Sequence, residues 1–193
     1  TYADFGLLRR GTVLAHSNFI DESDMDLIAE VGAAVAHCPL SNVYFANAVF
    51  PARRALQRGV HIGLGTDVSG GPNPSILQTA ANAVAVSRVL EDGVDATVPS
   101  DQRGVAESRL SFVEAFWMAT TGGGRALDLP IGVLEPGYQF DAVAVDTAIA
   151  DSDLTVWPDL DAADDILQKV LHNAGRREIT DVWVNGRKVK AVG

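Results

Sequence analysis

Residues 60–71 read VHIGLGTDVSGG. An apolar run interrupted by Gly63 and Gly65 stops at one carboxylate, Asp67, and Gly70 and Gly71 follow almost at once. Such a run suits a strand buried on both faces, the usual state of a parallel sheet. The same grammar occurs twice upstream. Residues 12–16 read TVLAH and residues 33–38 read AAVAHC, each an apolar run closing on a histidine or beside one. Helical stretches separate the three. Asp21, Glu22 and Asp24 put negative charge at the start of one helix, where its dipole favours it. Met25, Leu27, Ile28 and Val31 supply apolar contacts, and Gly32 closes that helix. A second helix begins near Phe50 and ends at Gly59. Strand, helix, strand, helix, strand is the pattern of an α/β fold.

Beyond Asp67 the texture changes. Residues 74–90, rich in Ala and Val, predict a long helix, and residues 93–108, polar with a proline and glycines, predict a loop or lid. Residues 110–119 predict another helix, with Phe112, Phe116 and Trp117 as a core stripe. Gly122, Gly123 and Gly124 read as the end of that helix, and residues 125–127 as a short helical coda. The glycine run is no phosphate loop, because it lacks the Lys-Ser/Thr pair and the preceding strand. From Ile131 the pattern turns to β: a turn at 134–137, a strand at 141–145, and an alternating hairpin over 179–189 with Asn185-Gly186 at its turn.

With 193 residues, the chain is long enough for one good-sized domain, or one domain and a small appendage. It is 47% apolar and 21% charged, a globular balance. No apolar run reaches the ~18 residues of a membrane span, so no membrane partner is expected. A net charge of −10 argues against nucleic acid, which needs a basic patch. Cys38 is the single cysteine, which excludes an internal disulfide framework and a cysteine-based zinc site and fits a cytoplasmic setting.

In a barrel of alternating strands and helices the active site lies at the carboxyl ends of the strands. His16, His37 and Asp67 stand at such ends. Imidazole and carboxylate are the usual ligands of zinc or ferrous iron, and a carboxylate there can also take a proton from a metal's water. Plainer roles fit the same residues. An Asp after a strand often caps the next helix. His16, ahead of Ser17 and Asn18, fits a hydrogen-bonded loop, and His37 beside Cys38-Pro39 fits a structural residue. His61 and His172, within or beside β-like segments, read as surface or packing residues.

Taken together, LAHS (14–17), AHCPLSN (36–42) and GLGTDVSGG (63–71) resemble the second half of an amidohydrolase-superfamily barrel. Within it the chain is most similar to guanine deaminases, through residues 36–60, 63–77 and the closing segment DILQKVLHNAGRREITDVWVNGRKV, 165–189. The resemblance covers nearly the whole chain and is weakest over 93–108. It implies an α/β fold: the second half of a metal-dependent (β/α)8 TIM-like barrel in residues 1–130, strands six to eight and their helices, then part of a small composite β-sandwich in residues 131–193. Asp67 matches the family's eighth-strand Asp, a metal ligand and proton shuttle. His16 matches the sixth-strand histidine, which contacts the substrate and the attacking water. His37 matches a seventh-strand histidine, for which the resemblance implies a substrate contact.

The resemblance further implies one divalent ion, Zn or Fe, per active site, a small purine substrate and a homodimer when complete. The implied reaction is hydrolysis of guanine to xanthine and ammonia. The family's first-strand HxH pair and its fifth-strand histidine with a nearby Glu have no match here. Together with a start at Thr1, that leads us to expect the carboxyl-terminal portion of a longer enzyme, inactive by itself. Two other readings stand beside this one. A relative acting on another purine, a pyrimidine or a triazine keeps the fold and changes the substrate, and a catalytically inactive structural half needs no substrate at all.

Overall fold

The computed structural model describes residues 1–190. Three short parallel strands, β1 (Val13–Ala15), β2 (Ala34–His37) and β3 (His61–Leu64), pair in the order β1-β2-β3. Helix α1 (Glu22–Val31) joins the first two, and α2 (Pro39–Ala46) and α3 (Ala52–Gln57) join the second and third. Next come α4 (Ile76–Asp92), α5 (Phe112–Ala119) and α6 (Thr121–Ala126). The chain closes with β4 (Ala142–Val145), α7 (Ala163–Asn173), β5 (Ile179–Val184) and β6 (Arg187–Lys190), whose strands form a second, antiparallel sheet.

Leu14, Val35 and Ile62 are register partners across the parallel sheet. They point into one core with Met25 and Ile28 of α1, Phe50, Ala55 of α3 and Met118 of α5. Burying each large aliphatic side chain there contributes about 1.5–3 kcal/mol. Side chains alternate across a strand, and on β1 the neighbours Val13 and Ala15 are exposed. The sheet is therefore covered by helices on one face and open on the other at β1.

The local signals explain most elements. Asp21 caps α1 in a capping box with Asp24, and Gly32 ends the helix in the left-handed conformation, φ 69°. Ser111 and Glu114 form a second box on α5. In the hairpin, Asn185 and Gly186 both take positive φ, as a two-residue turn requires.

Several expectations need correction. Gly122–Gly124 do not end a helix but lie inside α6, and the break falls at Thr120. A Cβ on Gly122 would lie 2.4 Å from the Ile62 carbonyl oxygen, so the glycines let α6 lie directly on β3. His172 belongs to the last turn of α7, with its ring edge-on to Phe112 at 5.4 Å, not to a β segment. The aromatic stripe of α5 is only partly core: Phe116 is 38% exposed, while Ala115 and Met118 are fully buried. Residues 93–108 form a loop but no lid. Arg103 donates to the Asp92 and Asp95 carbonyls, and Glu91 accepts from the Ser108 and Arg109 amides. These contacts fasten the loop to the C-terminal end of α4, about 24 Å of helix from the Asp67 end.

Helix α7 carries Leu171 and Leu167 into a second core with Ala80, Ala81 and Val84 of α4 and Ala115 of α5. Residues 163–173 thus pack on the helices of the first portion of the chain.

Candidate functional site

The site is assembled at the carboxyl ends of the parallel strands. His16 directly follows β1, and its amide still extends the sheet by donating to the Ala36 carbonyl (3.0 Å). Its backbone and that of Ser17 then turn into the left-handed region, φ 67° and 55°, which non-glycine residues seldom adopt. Asp67, three residues past β3, does the same at φ 50°. These turns aim both side chains over the strand ends. Gly71 is sterically required, since a Cβ there would overlap the Thr66 carbonyl, and a Cβ on Gly70 would push against the Asp67 carboxylate, 2.8 Å from Oδ2.

Asp67 does not cap α4. Ser75 does, accepting from the Gln78 amide at 3.3 Å. The Asp67 carboxylate instead accepts from Ser41 Oγ on Oδ2 (2.5 Å), and the same Oδ2 lies 4.0 Å from His16 Nε2. His16 Nδ1 lies 2.9 Å from Asn42 Oδ1, an acceptor that favours the proton on Nδ1, and in the neutral ring this tautomer turns the Nε2 lone pair toward Asp67. Two acceptors at that spacing suit one water molecule donating to both. The pair opens on a cleft of about 860 Å³ whose apolar wall includes Tyr2, Phe19 and Phe45.

His37 lies apart from the pair. Its ring is buried against Phe50 (centroids 5.4 Å apart), Nδ1 has no partner among the described residues, and it does not line the cleft. Burial pushes its pKa down to about 4, so the ring is neutral. Cys38 is also buried, and burial, with the Asp67 charge, pushes its thiol up to about 11. Ser41 and Asn42, 3% and 1% exposed, went unremarked in the sequence reading, although the AHCPLSN segment contains both. The available signal was Pro39, which fits the first position of a helix and so puts both residues in that helix's opening turns.

Among the described residues no three His, Cys, Asp or Glu side chains converge on one point. Asp67 Oδ1 receives no hydrogen bond from the described residues, so the carboxylate fits as one corner of a metal site completed by other ligands.

The chain matches the amidohydrolase family over residues 1–189. It belongs to that family. The amidohydrolase likeness extends to individual relatives. Guanine deaminase of Mus musculus is 35% identical over 193 residues, which take in 97% of this chain and 40% of that protein. The solved guanine deaminase from C. acetobutylicum, with guanine bound in its active site, superposes with a TM-score of 0.78 at 28% identity over 97% of this chain and 41% of that one. A solved adenosine deaminase from Xanthomonas campestris with bound zinc gives 0.77 at 26% identity, over 98% of this chain and 39% of that one. The chain therefore spans about 40% of the length of the relatives it matches.

Proposed function

We propose that these residues are the carboxyl-terminal portion of a metal-dependent enzyme that hydrolyses guanine to xanthine and ammonia. The observation that carries the reading is the His16–Asp67 pair, 4.0 Å apart at the ends of two parallel strands and open to a cleft. The 35% identity to a guanine deaminase supports the choice of substrate. In this reading the parallel sheet is strands six to eight of a (β/α)8 barrel. Residues 1–130 belong to the barrel and residues 131–193, the last three of which lie outside the described residues, to part of a composite β-sandwich, with α7 returning to pack on α4 and α5. The free edges of β1 and β3 are where the remaining strands pair to close the barrel, with the open face at β1 turned to its interior.

A divalent ion, zinc or iron, when held by Asp67 and ligands outside these residues, supplies a hydroxide-like nucleophile near neutral pH. Asp67 takes the proton that the attacking water gives up. His16 Nε2 accepts from the same water, aims it at the amino-bearing ring carbon, and holds the hydroxyl of the tetrahedral adduct. Of the water's two protons, one is passed to the ring nitrogen, where it stays in xanthine, and the other joins the departing amine, both by way of Asp67 and an acid outside this chain, the role the resemblance gives to a Glu. Atoms balance as guanine plus water giving xanthine plus ammonia. His37, buried away from the cleft, acts by packing in this scheme. The complete enzyme is a cytoplasmic homodimer in the same reading, and one buried thiol with no disulfide suits that compartment.

A second substrate class is favoured by one observation, the likeness to the adenosine deaminase. A panel of guanine, adenosine and a triazine, assayed with the complete enzyme, separates the two. Guanine is expected to give the highest kcat/KM, and preference for either of the others would overturn the choice.

A further inference from the structure

We propose that Ser41 and Asn42, adjacent residues in the opening turns of α2, are positioning residues that set the tautomer of His16 and the orientation of Asp67. The proposal rests on the deaminase reading for what the pair does, but not for how it is held. Its basis is topological. Strand β2 lies between β1 and β3, so the helix that leaves β2 emerges between the ends of the two outer strands. Consecutive helical residues point about 100° apart. Asn42 therefore reaches His16 beyond β1 (2.9 Å), while Ser41 reaches Asp67 beyond β3 (2.5 Å). Pro39 at the start of α2 stiffens this turn, and both residues are almost fully buried, so neither swings freely.

The two contacts do different work. The Asn42 amide oxygen selects the imidazole form with its proton on Nδ1, which makes Nε2 an acceptor toward the shared water. The Ser41 hydroxyl occupies Oδ2 of Asp67 and leaves Oδ1 as the oxygen free for a metal. One rigid turn thus fixes the separation of two side chains that come from different strands.

The test uses the complete enzyme labelled with [15N]histidine, with His16→Gln to assign the ring signals, and the variants Asn42→Leu, Asn42→Asp and Ser41→Ala. The wild-type ring is expected in the Nδ1–H form. Asn42→Leu, similar in size but without an acceptor, is expected to move it toward Nε2–H and to lower kcat on guanine about 10- to 100-fold. KM should stay within about twofold. Asn42→Asp restores an acceptor and is expected to recover most of kcat. An Nε2–H ring in the wild type, or an Asn42→Leu enzyme with unchanged ring form and kcat, would overturn the role of Asn42. Where Asn42→Leu fails to fold, Ser41→Ala carries the test: a crystal structure with Asp67 rotated and a reduced kcat supports the brace, and an unmoved carboxylate with wild-type kcat refutes it. The ring measurement needs no substrate, so a wild type that fails to turn over guanine would refute the proposed activity while leaving the brace to stand or fall on the spectrum.

Discussion

His37 and His16 end neighbouring strands and have opposite fates. Val35 faces the helix-covered core, and a residue two further along the same strand faces the same way, so His37 is carried into the core against Phe50. His16 lies beyond the end of β1, where a left-handed turn frees it from that alternation. The ending of each strand on a polar residue was plain in the sequence. Which ring would be buried was not, because it depends on register and on one unusual φ. Burial lowers the His37 pKa to about 4, below the ordinary value near 6.5. The unfolded chain therefore takes up this proton first as pH falls. The stability of the neutral ring is full above pH 6.5 and is lost toward pH 4, up to about 3 kcal/mol. Urea midpoints measured across that range should fall more steeply for the wild type than for His37→Phe, and parallel pH profiles would contradict the buried neutral ring. Cys38, with its thiol raised to about 11, should resist a disulfide reagent at pH 8 in the native state and react promptly in denaturant.

Helix α1 was legible from its acidic start and closing glycine, and α4 and α5 from their apolar runs. Helices α2 and α7 were not, and of α6 only the end was, each for a physical reason. In α2 the opening signal is a proline, which as readily marks a loop. Three consecutive glycines, with poor intrinsic helix propensity, are tolerated in α6 because it lies on β3. Helix α7 opens inside the polar stretch DLDAADD (159–165), and its apolar contacts, Leu167 and Leu171, meet partners far away in sequence. The account of α6 makes a paired prediction. Gly122→Ala drives a methyl into the Ile62 carbonyl and the Trp117 ring and should cost about 1–3 kcal/mol in urea unfolding. Gly123→Ala, whose nearest neighbour lies at 3.7 Å, should be neutral or slightly stabilising, as alanine favours a helix. Equal losses from the two would contradict the close approach of α6 to β3.

At the scale of the molecule, three parallel strands covered on one face do not make a closed active site. The apolar balance placed the chain among globular proteins, and the alternation of strands and helices placed it among α/β folds. The open face at β1, by contrast, reflects long-range packing that no local pattern records. One carboxylate holds a divalent ion weakly, because tight sites need several convergent ligands. Residues 1–193 alone should therefore show no stoichiometric metal and no deaminase activity. The complete enzyme should carry about one ion per site, lose activity to a chelator and regain it with zinc or ferrous iron, as elemental analysis and assay will report. Turnover by the isolated residues would remove the need for outside ligands. The most direct test is the guanine-to-xanthine rate of the metal-loaded complete enzyme carrying Asp67→Asn. Loss of the proton acceptor should lower kcat at least about 100-fold, and turnover near the wild-type rate would contradict the assignment of Asp67 to the chemistry.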